Sequence, residues 1–199
     1  MSNLCDIVGN ANFLNGENYY LVNDRFDNSN SAIYINDGYL QLSNDSYFGN
    51  AFTVIVWIKF KSYKDYARIF DFGNGPDTEN IALTMYQKNL YADFFDQTNE
   101  YTHVQLNIWY HIAYVKQNKP SCFIYVNGNQ IEQGNFSILN RSSSLSRSNN
   151  LNFIGKSNFD GDPKIDAVYD DLKIFSKALT SDDIISDYMY SCCSGGKII

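Results

Sequence analysis

Phe52, Val54, Val56, Ile58 and Phe60 occupy every second position of one run, and Thr53, Ile55, Trp57 and Lys59 fill the positions between. Period-two alternation of β-branched and aromatic residues marks a strand. Because the second face is also partly apolar, this strand is expected at the centre of its sheet. The same pattern predicts strands at Ser31–Ile35, Tyr39–Leu42, Tyr66–Phe72, Asn80–Tyr86, Leu90–Phe95, Trp109–Lys116, Cys122–Val126, Asn150–Ile154 and Tyr169–Phe175. Turn chemistry separates them. Asp37-Gly38 divides the first pair, and Gly73-Asn74-Gly75-Pro76 closes the strand that starts at Tyr66. Asn127-Gly128 reads as a hairpin turn, since both residues tolerate positive φ. One helix is predicted to open at Thr180-Ser181-Asp182-Asp183, where a hydroxyl cap and two carboxylates suit the unpaired N–H groups of a first turn. Ile184, Ile185, Tyr188 and Met189 give it an apolar face. Asn10–Asn30 is rich in Asn and Gly and reads as an irregular lead-in, and Ser137–Asn149 as a polar loop.

Many short strands with regular turn signals predict an all-β sandwich or barrel. A chain of 199 residues fits one such domain, residues 1–199, with its core at about 25–190. The 16 Tyr and 14 Phe add to the lean toward sheet. A net charge of −7 argues against nucleic acid and anionic membranes as partners. No apolar run approaches the roughly 18 residues of a membrane helix, so no membrane insertion by this domain is expected. The first residues lack the basic and apolar regions of a signal peptide. That predicts either an intracellular protein or a domain of a larger secreted or cell-surface chain. Cys122 lies in a strand pattern and reads as a buried free thiol. Cys5 and the Cys192-Cys193 pair sit near opposite termini and are candidates for a clasp in an oxidising compartment.

Four segments, in order, resemble the concanavalin A-like lectin/glucanase superfamily, and in particular its laminin-G-like branch. They are Arg25-Phe26 with Ser31–Gly38; Phe52–Lys59; Trp109–Ala113 with Ile124–Gly128; and Ile154-Gly155 with Asp170–Thr180. The resemblance spans roughly residues 25–190. It implies a two-sheet antiparallel jelly-roll sandwich with one short C-terminal helix. It also implies an extracellular or cell-surface recognition role, toward a glycan, a glycoprotein or another protein ligand. Fold alone does not choose among these, because the family holds binding modules, adhesion domains, receptor ectodomains and enzymes.

The glucanase branch works with carboxylates placed two strand positions either side of a central Asp, and retaining chemistry needs such a pair about 5 Å apart. In Ile165–Asp170 the middle position is Val168 and neither flank is Glu, so a non-catalytic domain is expected. His111 shares a strand face with Trp109, Ala113 and Val115 and reads as a packed histidine. The resemblance implies a structural calcium held by Asp37, Gly38 and Asp170, with Asp171 as the alternate. A second, rim calcium would fall to Asp77 with Glu79 nearby. Alternation puts Ile81, Leu83, Met85, Leu90, Ala92 and Phe94 inward. Tyr86, Tyr91, Asp93 and Phe95 are then left on an outer face, where aromatic rings beside a carboxylate can stack on and hydrogen-bond a sugar.

Overall fold

The alternating run becomes strand β3 (Phe52–Phe60), at the centre of an antiparallel array in a computed structural model of the chain. The structure describes residues 13–42, 51–73, 75, 80–92, 103–118, 121–135 and 151–193. Before β3 come β1 (Phe13–Val22) and β2 (Ala32–Leu42). After it follow β4 (Ala67–Gly73), β5 (Ile81–Tyr86), β6 (Asn89–Ala92), β7 (Trp109–Lys116), β8 (Ser121–Val126), β9 (Asn129–Asn135), β10 (Leu151–Ile154), β11 (Ile165–Phe175) and helix α1 (Ser181–Cys193). The Asn127-Gly128 hairpin forms as expected, with both residues at positive φ and Val126 facing Asn129.

Hydrogen bonding runs unbroken from β6 through β5, β4, β10, β2, β11, β3, β7 and β8 to β9. The expected sandwich is therefore one curled sheet folded on itself, and β2 makes the corner. Its first half pairs with β11, from Ile33 opposite Tyr169 to Asn36 opposite Asp166. Its second half pairs with β10, Leu40 opposite Ile154 and Gln41 opposite Phe153. The two layers meet face to face across the core. Phe70 of β4 stands edge-on to Tyr114 of β7, centroids 5.8 Å apart. Tyr169 of β11 reaches over to donate its hydroxyl to the Ile69 carbonyl at 3.0 Å. Burial raises the Tyr169 phenol well above its ordinary pKa, so it stays a donor there.

Several expectations change. Asp37-Gly38 is no turn: β2 runs straight through it, with Asp37 at φ 53 in a bulge. A strand that passes from one sheet to another bends at such a bulge. Gly38 is required there, because a Cβ would lie 2.0 Å from the Glu17 carbonyl oxygen on β1. The Asn- and Gly-rich lead-in holds β1, which pairs along β2. Edge position and bulges break its period, so alternation does not reveal it. β11 begins four residues earlier than expected, at Ile165.

The helix packs by a different stripe. Thr180 caps it, accepting from the Asp183 N–H at 3.2 Å while Asp183 accepts from the Thr180 N–H at 2.9 Å. Ile184 is fully buried against Ile55, Ala113, Val115 and Tyr125. Asp187 meets His111 Nε2 at 3.1 Å and Lys173 Nζ at 2.7 Å. Tyr188 stacks on Trp57, whose Nε1 donates to Ser191 Oγ at 2.9 Å. Ile185 and Met189 are exposed. The anchors at 184, 187, 188 and 191 follow helical spacing, but two of them are polar, so hydrophobicity alone picks the wrong edge. Cys122 is a buried free thiol, as expected. Cys5 and the side chains of Cys192 and Cys193 lie outside what the structure describes.

Gly38→Ala is expected to destabilise the fold by about 3 kcal/mol in urea unfolding, since backbone rather than a flexible side chain blocks the added carbon. Gly161→Ala, at φ +97 but with open space around it, should cost only about 1 kcal/mol.

Candidate functional site

The outer face of β4 and β5 is roofed by the segment joining β10 to β11. Asp71 on β4 is fully buried, and a buried carboxylate must be hydrogen-bonded. It accepts from the backbone N–H and from Nδ2 of Asn158, each at 2.8 Å. A register shift between Arg68 and Phe70 brings Arg68 to the same face. Arg68 donates to Thr84 Oγ1, lies 3.4 Å from Asp162 Oδ2, and holds its guanidinium carbon 5.9 Å from the Phe159 ring centre. Ser157 Oγ donates to the same Asp162 oxygen at 2.8 Å. This draws residues 157–162 over the sheet. Ala82 and Thr84, outward by alternation, are as buried as the core for that reason.

Past the edge of the roof stands a row of tyrosines. Tyr66 is 50% exposed, its ring 4.8 Å from that of Tyr86, and Tyr86 meets Tyr91 edge-on at 5.6 Å. Tyr86 and Tyr91 flank the β5–β6 hairpin, whose turn residues Gln87 and Lys88 are both left-handed. The Gln87 N–H donates to Asp65 Oδ1 at 2.8 Å, which ties that turn to the residue before Tyr66. Tyr66 itself sits at φ 70, a region that costs a bulky side chain about 1–3 kcal/mol. Its N–H is held by the Met85 carbonyl at 2.8 Å. That backbone turns the ring out along Tyr86. The Tyr66 phenol lies above its ordinary pKa, first through its hydrogen bond with Tyr86, and further through the charges of Asp65 and Asp162. The strip thus combines ring faces, phenol hydroxyls and a neighbouring carboxylate. Among the described residues of the strip, no nucleophile has a base beside it.

Of the expected ligand residues, Tyr86 and Tyr91 are brought together, while Asp93 and Phe95 lie outside the described residues. Tyr66 and Asp162 were not legible in the sequence. Tyr66 reads as an ordinary strand residue, but it is the third residue of the Lys64–Ala67 turn, which the Ala67 N–H closes on the Lys64 carbonyl at 3.1 Å. Asp162 reaches the site only through the Arg68 and Ser157 contacts.

The expected calcium set does not assemble. Arg25, its side chain 6% exposed, forks onto Asp170 and, at 2.7 Å, onto Asp171. Its guanidinium also lies 4.9 Å from the Trp57 ring and donates to the Ser191 carbonyl at 3.1 Å. Asp37 pairs instead with Lys64. Asn36 faces Asp166 in the ladder, and Asp170 lies four positions further along β11, about 13 Å away. Asp37, Gly38, Asp170 and Asp171 therefore form two separate places, each already answered by a cation of this chain. They do not fit the calcium that the resemblance implies. Asp77 and Glu79 lie outside the described residues. Asp166 and Asp170 are likewise too far apart for a retaining carboxylate pair.

A family profile described as the concanavalin A-like lectin/glucanases superfamily, of laminin G type, matches residues 34–185. The chain belongs to this superfamily. Among solved structures, the laminin-G-like fold is shared with the binding domain of botulinum neurotoxin serotype G, at TM-score 0.66 and 17% identity over 95% of this chain and 49% of that one. The binding domain of Paraclostridial Mosquitocidal Protein 1 aligns at TM-score 0.65 and 19% identity, over 97% and 51% of the two chains. The ligand binding domain of botulinum neurotoxin serotype D, in complex with N-acetylneuraminic acid, aligns at TM-score 0.62 and 19% identity, over 92% and 47%. The chain spans about half the length of these domains. No curated sequence matches it. Among the described residues no helix is long and apolar enough to cross a membrane.

Burial first, then the charge of Asp171, pushes Asp170 up to about 6 from 3.8, against the pull of Arg25. A folded-state value above the unfolded one means that the native protein holds the extra proton between about pH 4 and pH 6. The stabilising contribution of Asp170 therefore falls as pH rises through that window. Thermal melts should show the parent losing stability relative to Asp170→Asn over the same range. A relative gain would show that Arg25 outweighs burial.

Proposed function

We propose that this domain is a non-catalytic recognition module that binds glycan or glycoprotein through the Tyr66–Tyr86–Tyr91 strip, as part of a larger secreted or cell-surface protein. The observation that carries this reading is Tyr66, a half-exposed aromatic held in a left-handed backbone conformation with its ring against Tyr86. Strain of this kind persists where the surrounding structure enforces it, and it gathers at ligand sites. The adjoining Asp162 supplies an acceptor for sugar hydroxyls, and the ring faces match the apolar C–H face of a pyranose. Two further facts support the reading. The fold recurs in toxin binding domains, one of them solved with a sialic acid. The acidic residues of β11 are spaced and partnered unlike a hydrolytic pair.

A second reading, adhesion to a protein partner, rests on a different surface. Ile185, Met189 and Tyr190 of α1 are 44%, 57% and 63% exposed. Three large apolar side chains on one helix suit a protein contact better than a sugar.

Tyr66→Gly separates binding from folding. Glycine relieves the left-handed backbone, so stability should stay within about 1 kcal/mol of the parent. Signal on a glycan array should fall by about tenfold or more, the scale of one lost stacking contact. A glycan array that stays silent with the folded parent would pass the case to the protein-partner reading.

A further inference from the structure

A cavity on the other side of Lys64 has the makings of a site of its own. Between the ladder pairs Glu17–Tyr39 and Tyr19–Ile35, β1 has one residue, Asn18, where β2 has three, Asn36, Asp37 and Gly38. Asn18 and Asp37 are both left-handed, at φ 50 and 53. These facing irregularities open a cavity of about 480 Å³ lined by Asn18, Tyr19, Tyr20, Asn36 and Asp37. That volume lies within the roughly 300–1,000 Å³ of small-molecule sites.

The charges around it are answered from within the protein. Asp37 is paired with Lys64, and Glu17 with Lys164 at 2.7 Å. Asp166 accepts from the Tyr34 hydroxyl at 2.8 Å. Burial first, then that bond to Asp166, pushes Tyr34 up to about 12, so it remains a donor at neutral pH. Among the described residues, each of these acidic groups already has a partner of this chain. What the cavity does present is neutral. The Asn18 and Asn36 side chains are exposed, and Asn18 Nδ2 makes only a long 3.4 Å contact to the Asp37 carbonyl. Tyr20 is 47% exposed, and its ring is braced edge-on against Tyr34 at 5.1 Å. Amides that can both donate and accept, beside a braced aromatic face, match the alternating hydroxyls and C–H face of a sugar ring.

We infer that the β1–β2 cavity is a second carbohydrate subsite, which takes an uncharged pyranose stacked on Tyr20 with its hydroxyls bonded to Asn18 and Asn36. It shares no residue with the tyrosine strip.

The test is an NMR titration of the 199-residue chain with methyl glucoside, methyl galactoside and methyl mannoside, and separately with N-acetylneuraminic acid. At least one neutral glycoside should shift the amides of Asn18, Tyr20 and Asn36 saturably. Tyr20→Ala should weaken that binding by about tenfold, and Tyr66→Gly should leave it unchanged. The inference is overturned if none of the neutral glycosides moves those amides, or if only the acidic sugar does. Shifts confined to Tyr66, Tyr86 and Tyr91 would also overturn it while leaving the first site standing. Mapping on the parent decides the matter even if Tyr20→Ala does not fold.

Discussion

The close approach of the Glu17 carbonyl to Gly38 governs the architecture. β2 must complete one sheet with its first half and the other with its second, and it can do so only by bending where β1 presses against it. A side chain at Gly38 would push β1 away from the corner strand. The same bend releases backbone from the ladder and leaves a polar cavity at the corner. Fold and candidate chemistry thus share one cause, because a bulge bends the strand and re-aims its side chains together.

Two buried arginines finish the assembly. Arg25 gathers Asp170, Asp171 and the Ser191 carbonyl, and so pins the lead-in and the end of α1 to β11. Arg68 gathers Thr84 and Asp162 and lowers the β10–β11 segment onto β4 and β5. Buried ion pairs are weak evidence of net stabilisation, because desolvation offsets much of the attraction. Their effect here is one of place. Each fixes a segment that has little apolar surface of its own, and the second sets a carboxylate beside the tyrosine strip. The fork geometry of a guanidinium suits this, since it can satisfy acceptors from several elements at once.

Similarity to toxin binding domains at 17–19% identity, over about half their length, shows a shared scaffold. Exposed aromatics stand at the rims of the sheet. There Tyr66 and Tyr20 stand out as aromatics that the core does not take in.

By itself the sequence determined the strands that bury a face, the Asn127-Gly128 turn, the Thr180 cap and the superfamily. All of these rest on residues close together in the chain, where burial period and turn chemistry are written directly. The edge strand β1 escaped because its bulges and exposure erase the period. The helix face was misjudged because two of its four anchors are polar. Tyr86 and Tyr91 were readable from alternation across one hairpin. Tyr66 was not, because a tyrosine gives no signal of the left-handed position it takes in the Lys64–Ala67 turn. The partners of Asp37 and Asp170 were decided only by tertiary structure. Arg25 and Asp170 are 145 residues apart, and no local pattern could tell a carboxylate destined for a guanidinium from one destined for a metal. Short-range patterns specify which residues are buried; which charges meet depends on how the layers close.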